Sequence, residues 1–358
     1  MHFDNPERVR SYVYRCSNQS ILYPLLRRYL CQPLLVIVPT SWSPNLITFF
    51  GHGAVLLGFI WIVALGESWL SAAALGAVTS LVPAASIALY IVADTLDGLQ
   101  ARRLGVSGPL GDYLEHGLDA IAGTLIPLGA LMAYGADMGL AAALVLGCAM
   151  AWWTATAERW STGELRLPPF SEIETHGLVM ATHLVAAVAG PGFWRQAVFG
   201  VAAIDGMAVI GIAVSAVIAG IAISKIGPAT ASLPGLGASL LLFAGWYLGL
   251  RLAIPEFAGS PWPALILGLA SACHVEELLR RCLLGTKPQP YNWILVLTGG
   301  VLAFSLMLPA TRNADLQQAA MTLAIAVVGV RLISQFASAI RFISSTLGIR
   351  ILEVPRSS

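Results

Sequence analysis

Four carboxylates, Asp94, Asp97, Glu115 and Asp119, fall within the 26 positions 94–119, beside very apolar sequence. Asp94, Asp97, Gly98 and Ala101 follow the spacing i, i+3, i+4, i+7, which puts them on one face of a helix that continues through Arg102. Gly111, Glu115 and Asp119 follow i, i+4, i+8, again one face. Between the two sets, Gly105, Gly108 and Pro109 break the helix and turn the chain, so the acidic faces can oppose each other. Four unpaired carboxylates would raise one another's pKa values. Two divalent cations, Mg²⁺ or Mn²⁺, would balance them, and hard oxygen ligands suit such ions. Paired ions stabilise the attacking and leaving oxygens of a phosphoryl displacement. The competing reading is a solvated acidic loop whose aspartates cap helices. The shared period, the glycines and the paired spacing favour the metal site.

Gly98, Ala101 and Gly111 present almost no side chain, which leaves room for a bulky anionic ligand against the backbone. Arg102 can pair with phosphate through two N–H groups, whereas Arg103 reads as flanking positive charge. The proton acceptor has two candidates. His116 titrates near neutral pH and stands at i, i+3 from Asp119, which is the other. Glu174, in a later polar connection, would orient that base. Asp112, His176, His183 and His274 read as interfacial solvation or packing. Asp205 is a lone acid in an apolar stretch.

These residues need a scaffold, and the composition sets its class. The 358 residues are 57% hydrophobic and 11% charged, with a mean hydropathy of +0.77. Soluble domains carry about 25% charged residues, so the expected fold is an all-α polytopic membrane bundle. A span needs roughly 20 apolar residues. Ten candidates fit: 45–65, 72–94, 112–134, 138–157, 177–193, 198–222, 229–250, 261–281, 290–309 and 317–338. Residues 1–44 read as a cytosolic N-terminus with an interfacial helix, because apolar residues there alternate with Arg27 and Arg28. Residues 45–195 read as the catalytic spans. Residues 196–358 read as packing, a lipid-facing wall or a homodimer surface. Lys and Arg placement puts both termini and the acidic cluster on the cytosolic side. The net charge of +1 singles out no nucleic-acid partner, and none is expected. The five cysteines are scattered, without zinc or disulfide spacing. The polar start shows no signal-peptide pattern.

Asp94-Thr-Leu-Asp97-Gly98-Leu-Gln-Ala101-Arg102, continued by Gly111, Glu115 and Asp119, resembles the signature of the CDP-alcohol phosphotransferase family, with Glu115 at the position of the third acid. Three other stretches resemble the choline/ethanolamine phosphotransferase branch: Ser43-Pro44-Asn45-Leu-Ile-Thr48, Gln100 to Gly105 with Pro109 to Gly117, and Glu158 to Glu174. The resemblance weakens after about residue 195. It implies that the four acids hold two Mg²⁺ or Mn²⁺ ions, with Asp119 both ligand and candidate base. Asn45 and Thr48 would contact the nucleotide, although helix capping after Pro44 is an equal reading. The implied reaction passes a phosphoalcohol from a CDP-alcohol to diacylglycerol, releasing CMP, in phosphatidylethanolamine or phosphatidylcholine synthesis. Two alternatives stand beside it: a CDP-diacylglycerol-dependent transferase, and a non-catalytic membrane protein on the same fold. The host membrane, endoplasmic reticulum or Golgi or a bacterial inner membrane, stays open.

Overall fold

The computed structural model describes residues 5–66, 77–226, 259–284 and 314–354, with isolated positions 238, 241 and 245. The expected spans 229–250 and 290–309 lie outside the described residues. Among the described residues, seven helices are long and apolar enough to cross a membrane. The protein is thus an all-α, multi-pass membrane protein, with two minor sheets that the sequence did not suggest.

The chain opens with α1 (Pro6–Arg10) and the short β1 (Cys16–Asn18). Next come α2 (Tyr23–Leu26), a wider π-type turn (Arg27–Cys31) and α3 (Gln32–Ile37), joined end to end. Then follow α4 (Pro44–Leu65), α5 (Val78–Leu104), α6 (Pro109–Tyr134) and α7 (Met138–Thr162). The short β2 (Leu165–Leu167) pairs in parallel with β1 and ties the N-terminal strap to the connection after α7. α8 (Glu172–Ala189) comes next, then the hairpin β3 (Ala197–Val198) and β4 (Val201–Ala202), and α9 (Ala203–Lys225). α10 (Trp262–Leu284) and α11 (Ala314–Leu347) complete the bundle.

Each boundary near the acids has a local cause. Ser43 caps α4, its Oγ accepting from the Leu46 N–H at 3.2 Å. Pro44 follows at the first helical position, where no N–H is needed. α5 ends at Gly105, whose φ of +69° is left-handed; a side chain there would strain the turn. Pro109 then opens α6. α5 runs ten residues past the expected end at 94, so all four positions of its motif are helical. At 1.5 Å per residue its 27 residues measure about 40 Å. That exceeds the roughly 30 Å hydrocarbon core, and the acid-bearing end reaches the polar boundary. The start of the expected span 198–222 is instead the β3–β4 hairpin. Its two turn residues, Phe199 and Gly200, both have positive φ, as a type I′ turn requires.

Small residues bring α4 against α5. A Cβ at Gly51 would lie 2.8 Å from the Cβ of Ala93, and one at Gly58 would lie 2.8 Å from that of Ser86. Such close approach is the usual currency of helix packing in lipid. The second half of the chain is more than a lipid-facing wall. α10 is 89% buried along its span, against 22% for α9. Tyr113 of α6 donates its hydroxyl to Glu276 of α10. Phe336 of α11 packs on the bare backbone of Gly117, where a Cβ would meet the ring at 2.8 Å.

Candidate active site

α5 carries Asp94 and Asp97 and α6 carries Glu115 and Asp119, near enough for their charges to act on one another. Asp97 and Asp119 are buried, and Asp94 and Glu115 are half-buried. The Thr48 hydroxyl donates to Asp97 Oδ2. Asp94 Oδ1 and Asp97 Oδ1 are both buried and accept no hydrogen bond. A buried carboxylate oxygen without a donor costs free energy, so this pair of unused oxygens calls for cations. Among the described residues, no group of three or more His, Cys, Asp and Glu side chains is arranged to hold a metal ion as it stands. The unused oxygens and the negative charge are of the kind that would suit Mg²⁺ or Mn²⁺.

The motif around Arg102 divides its labour. Gln100 donates through Nε2 to the carbonyls of Pro39 and Trp42 at 3.0 and 2.9 Å. Arg103 donates to the carbonyls of Leu35 and Val38 at 2.6 and 2.7 Å, satisfying the end of α3. Arg103 is therefore a helix-end cap, a role beyond general positive charge. Arg102 folds back over Gly98, its guanidinium nitrogens 3.4 Å from where a Cβ would stand. Ala101 lies half-buried beside it on the same helix. Asn45 is not the helix cap, because Ser43 fills that role. Asn45 Nδ2 donates to the Ile351 carbonyl at 2.7 Å, and its Oδ1 would lie 3.5 Å from a Cβ on Gly111. The C-terminal tail thus closes over the edge where α4 meets α6.

His116 is buried, and its Nδ1 sits 2.9 Å from the Asp112 carbonyl and 3.1 Å from Asp112 Oδ1. In the tautomer whose Nδ1 donates to the Asp112 carbonyl, Nε2 keeps its lone pair. Asp112 is itself held by Arg159 at 2.6 Å and by the Tyr12 hydroxyl at 2.7 Å. The partner that orients His116 is therefore Asp112, which the sequence reading had assigned to solvation or packing. Glu174, expected in that role, is occupied elsewhere. Its Oε1 accepts from the Ser20 hydroxyl at 2.6 Å and the Leu22 N–H at 2.9 Å. Its Oε2 accepts from the Ser171 N–H and hydroxyl. These contacts cap α8 and pin the N-terminal strap. Burial pushes the Glu174 carboxyl up, but the donors from Leu22, Ser20 and Ser171 outweigh it and hold the group below the usual glutamate range.

Asp119 gathers residues absent from the expected set. Its Oδ1 accepts from the Tyr90 hydroxyl at 2.9 Å and lies 3.2 Å from His52 Nε2. His52 Nδ1 faces the Thr48 carbonyl at 2.8 Å. The same hydroxyl also lies against Glu172 Oε1, its one proton serving one of the two acids at a time, and the Tyr90 ring meets His176 edge-on at 5.4 Å. A signal for His52 was present, since an ionisable residue inside an apolar span is a functional candidate. Glu172 and His176 carried no such signal, because only the fold brings α8 to α6. From this group a cavity of about 220 Å³ extends between α6, α7, α8 and α9. Its wall is mostly aliphatic, and Asp119, Glu172 and His176 lie on it.

The other named polar residues are structural in their contacts. His183 Nδ1 bonds the Tyr134 hydroxyl at 2.6 Å. His274 Nδ1 faces the Ala270 carbonyl of its own helix. Asp205 accepts from the Asp137 N–H at 2.8 Å, bracing the start of α7.

Comparison with known proteins points the same way. No family model matches the chain. It is 31% identical over 202 residues to an uncharacterised CDP-alcohol phosphatidyltransferase class-I family protein of Schizosaccharomyces pombe, covering 53% of this chain and 50% of that one. It is 27% identical over 196 residues to choline/ethanolaminephosphotransferase 1 of Arabidopsis thaliana, covering 51% and 48%. It is 29% identical over 126 residues to choline/ethanolaminephosphotransferase 1 of Saccharomyces cerevisiae, covering 33% and 30%. The chain spans about half the length of the first two relatives.

The contacts of Glu174 give a direct expectation. Its carboxylate form holds the strap, so the hold is complete above the ordinary glutamate pKa of about 4.3 and fails as pH falls through the lowered value. Amide hydrogen exchange over residues 17–22 should show protection at pH 6 that is lost well below pH 4. Glu174→Gln should weaken that protection at pH 6 and leave little further loss on acidification. Unchanged protection in the variant, with turnover abolished, would return Glu174 to the chemistry.

Proposed function

We propose that this protein transfers phosphoethanolamine or phosphocholine from a CDP-alcohol to diacylglycerol, with release of CMP. The observation that carries the reading is the pair of acidic helix faces with unused buried carboxylate oxygens on Asp94 and Asp97, joined through Asp119 to an apolar cavity. Relatives named choline/ethanolaminephosphotransferase support it over a CDP-diacylglycerol-dependent transferase. The presence of all four acids speaks against a non-catalytic protein on this fold.

Asp94, Asp97, Glu115 and Asp119 would hold two Mg²⁺ or Mn²⁺ ions, which when bound supply positive charge to the pyrophosphate and the leaving CMP. The protein's own residues do the rest. Arg102, poised above Gly98, donates N–H groups to the phosphates. Gly98 and Gly111 keep the backbone open to them, and Asn45 and Thr48 border the nucleotide side. His116, oriented by Asp112, takes the hydroxyl proton of the acceptor at Nε2. Thr48 and Tyr90 hold Asp97 and Asp119 in place while that proton moves. A site closed off from bulk water strengthens each of these interactions.

The full reading has ten spans and an N-terminal helix lying in the interface. Ile21, Leu25, Tyr29, Val36 and Ile37 are exposed there beside Arg27 and Arg28, a pattern that suits a headgroup boundary. Positive charge then places the acids on the cytosolic side. Two copies would associate through the second half of the chain, where α9 is the most open span among the described residues.

Two measurements test this. Purified protein in mixed micelles should release CMP from CDP-ethanolamine or CDP-choline only when diacylglycerol is present. Chelation should abolish the reaction and Mg²⁺ or Mn²⁺ restore it. His116→Ala should cost about 10²–10⁴ in turnover, the usual worth of a positioned base. Turnover undiminished in chelator would refute the metal reading, and a wild-type rate in His116→Ala would move the base to Asp119. For topology, single cysteines at residues 105 and 199 should label from opposite faces of the membrane. Labelling from one face would overturn the orientation.

A further inference from the structure

The geometry points to Glu172 and His176 as the receptor for the acceptor's hydroxyl group, and so as determinants of lipid specificity. This rests on the transferase reading above and extends it to residues outside the signature.

The cavity between α6, α7, α8 and α9 is aliphatic over most of its length, with Leu131, Leu144, Val179 and Ile218 among its walls. Asp119, Glu172 and His176 gather on it where it meets the acids. Such a shape fits a ligand with a hydrocarbon body and one small polar end. His116 does not line this cavity, but its ring lies 5.9 Å from that of Trp152, which does. The polar end of an occupant therefore meets α8 first.

Two atoms there are unused. Glu172 is the partly exposed member, its side chain 25% exposed; Oε1 lies against the Tyr90 hydroxyl, while Oε2 makes no hydrogen bond among the described residues, so the buried unpaired atom is that of His176. His176 is 5% exposed, and its Nδ1 has no hydrogen-bond partner, standing 3.7 Å from Glu172 Oε1. A buried imidazole nitrogen without a partner is costly, and a hydroxyl is the smallest group that serves both atoms. It donates its one proton to Glu172 and accepts from His176 Nδ1 in the tautomer that is protonated there, a bound pose from which the hydroxyl advances to His116 for transfer. Tyr90 links this pair to Asp119, so a hydroxyl seated there is one residue away from the metal-facing acids. A lipid lacking the hydroxyl would leave both atoms unpaired. Rejection of such analogues is strong when the site's polar groups are buried.

The test separates acceptor from donor. Wild-type protein is assayed with varied diacylglycerol at saturating CDP-alcohol, and the reverse. Glu172→Gln keeps the shape but removes the charge. It should raise the KM for diacylglycerol about tenfold, as expected for loss of a charge-assisted hydrogen bond, and leave the KM for the CDP-alcohol unchanged. Inhibition by the 3-O-methyl ether of diacylglycerol gives a second readout. The ether should bind wild-type protein far more weakly than diacylglycerol, and Glu172→Gln should narrow that gap. His176→Gln should show the same acceptor-side split, which covers the case that Glu172→Gln fails to fold. An unchanged acceptor KM and an unchanged ether gap would overturn this assignment while leaving the transferase reading intact. A rise confined to the CDP-alcohol KM would do the same. No transfer from any CDP-alcohol by the wild type would overturn both.

Discussion

Everything in this molecule is arranged around the cost of holding four carboxylates together at the edge of a bilayer. Asp94 and Asp97 lie on one arm of a helical hairpin and Glu115 and Asp119 on the other, and two of their buried oxygens find no donor. The protein meets part of the cost itself. Thr48 donates to Asp97, Tyr90 donates to Asp119, and His52 lies against Asp119. Cations are the natural complement for the remainder.

The rest of the bundle keeps that hairpin rigid. α4 approaches α5 at Gly51 and Gly58, α11 lies on Gly117, and α10 bonds α6 through Tyr113 and Glu276. The buried Asp112–Arg159 pair matters most of the supports. Removing one partner of such a pair costs about 3–5 kcal/mol, because the other charge is left stranded. An exposed pair such as Arg350–Glu353 is worth at most about 1 kcal/mol. Asp112 also fixes the ring of His116, so a single pair serves both stability and the orientation of the proposed base. Tyr12 joins it from the N-terminal strap, which couples the first residues to the centre of the bundle.

The two acidic helix faces were legible in the sequence because helical periodicity is local. The spacing of Asp94 to Ala101 and of Gly111 to Asp119 foretold two acidic faces, and both stretches are helical throughout. What stayed hidden is what the fold joins over long separations. Glu172 meets Tyr90 only because α8 packs beside α5, and no short-range pattern announces that. Glu174 drew attention by its type and neighbourhood, yet α8 needs a cap and the strap needs an anchor, and those demands claim both of its oxygens. The π-type turn at Arg27–Cys31 and the β1–β2 pairing were invisible for the same reason. The second half read as bland because Ala, Gly and Leu carry little signal, whereas α10 is the most enclosed span among the described residues.

The central claim is that the opposed acids of α5 and α6 form one two-cation site. Electron paramagnetic resonance of detergent-solubilised protein titrated with Mn²⁺ tests it most directly, without reliance on turnover. Two bound Mn²⁺ ions per chain are expected, with the spin–spin coupling of neighbours a few ångströms apart. Asp97→Asn should abolish that coupling. One isolated ion, or coupled ions that survive Asp97→Asn unchanged, would contradict the account.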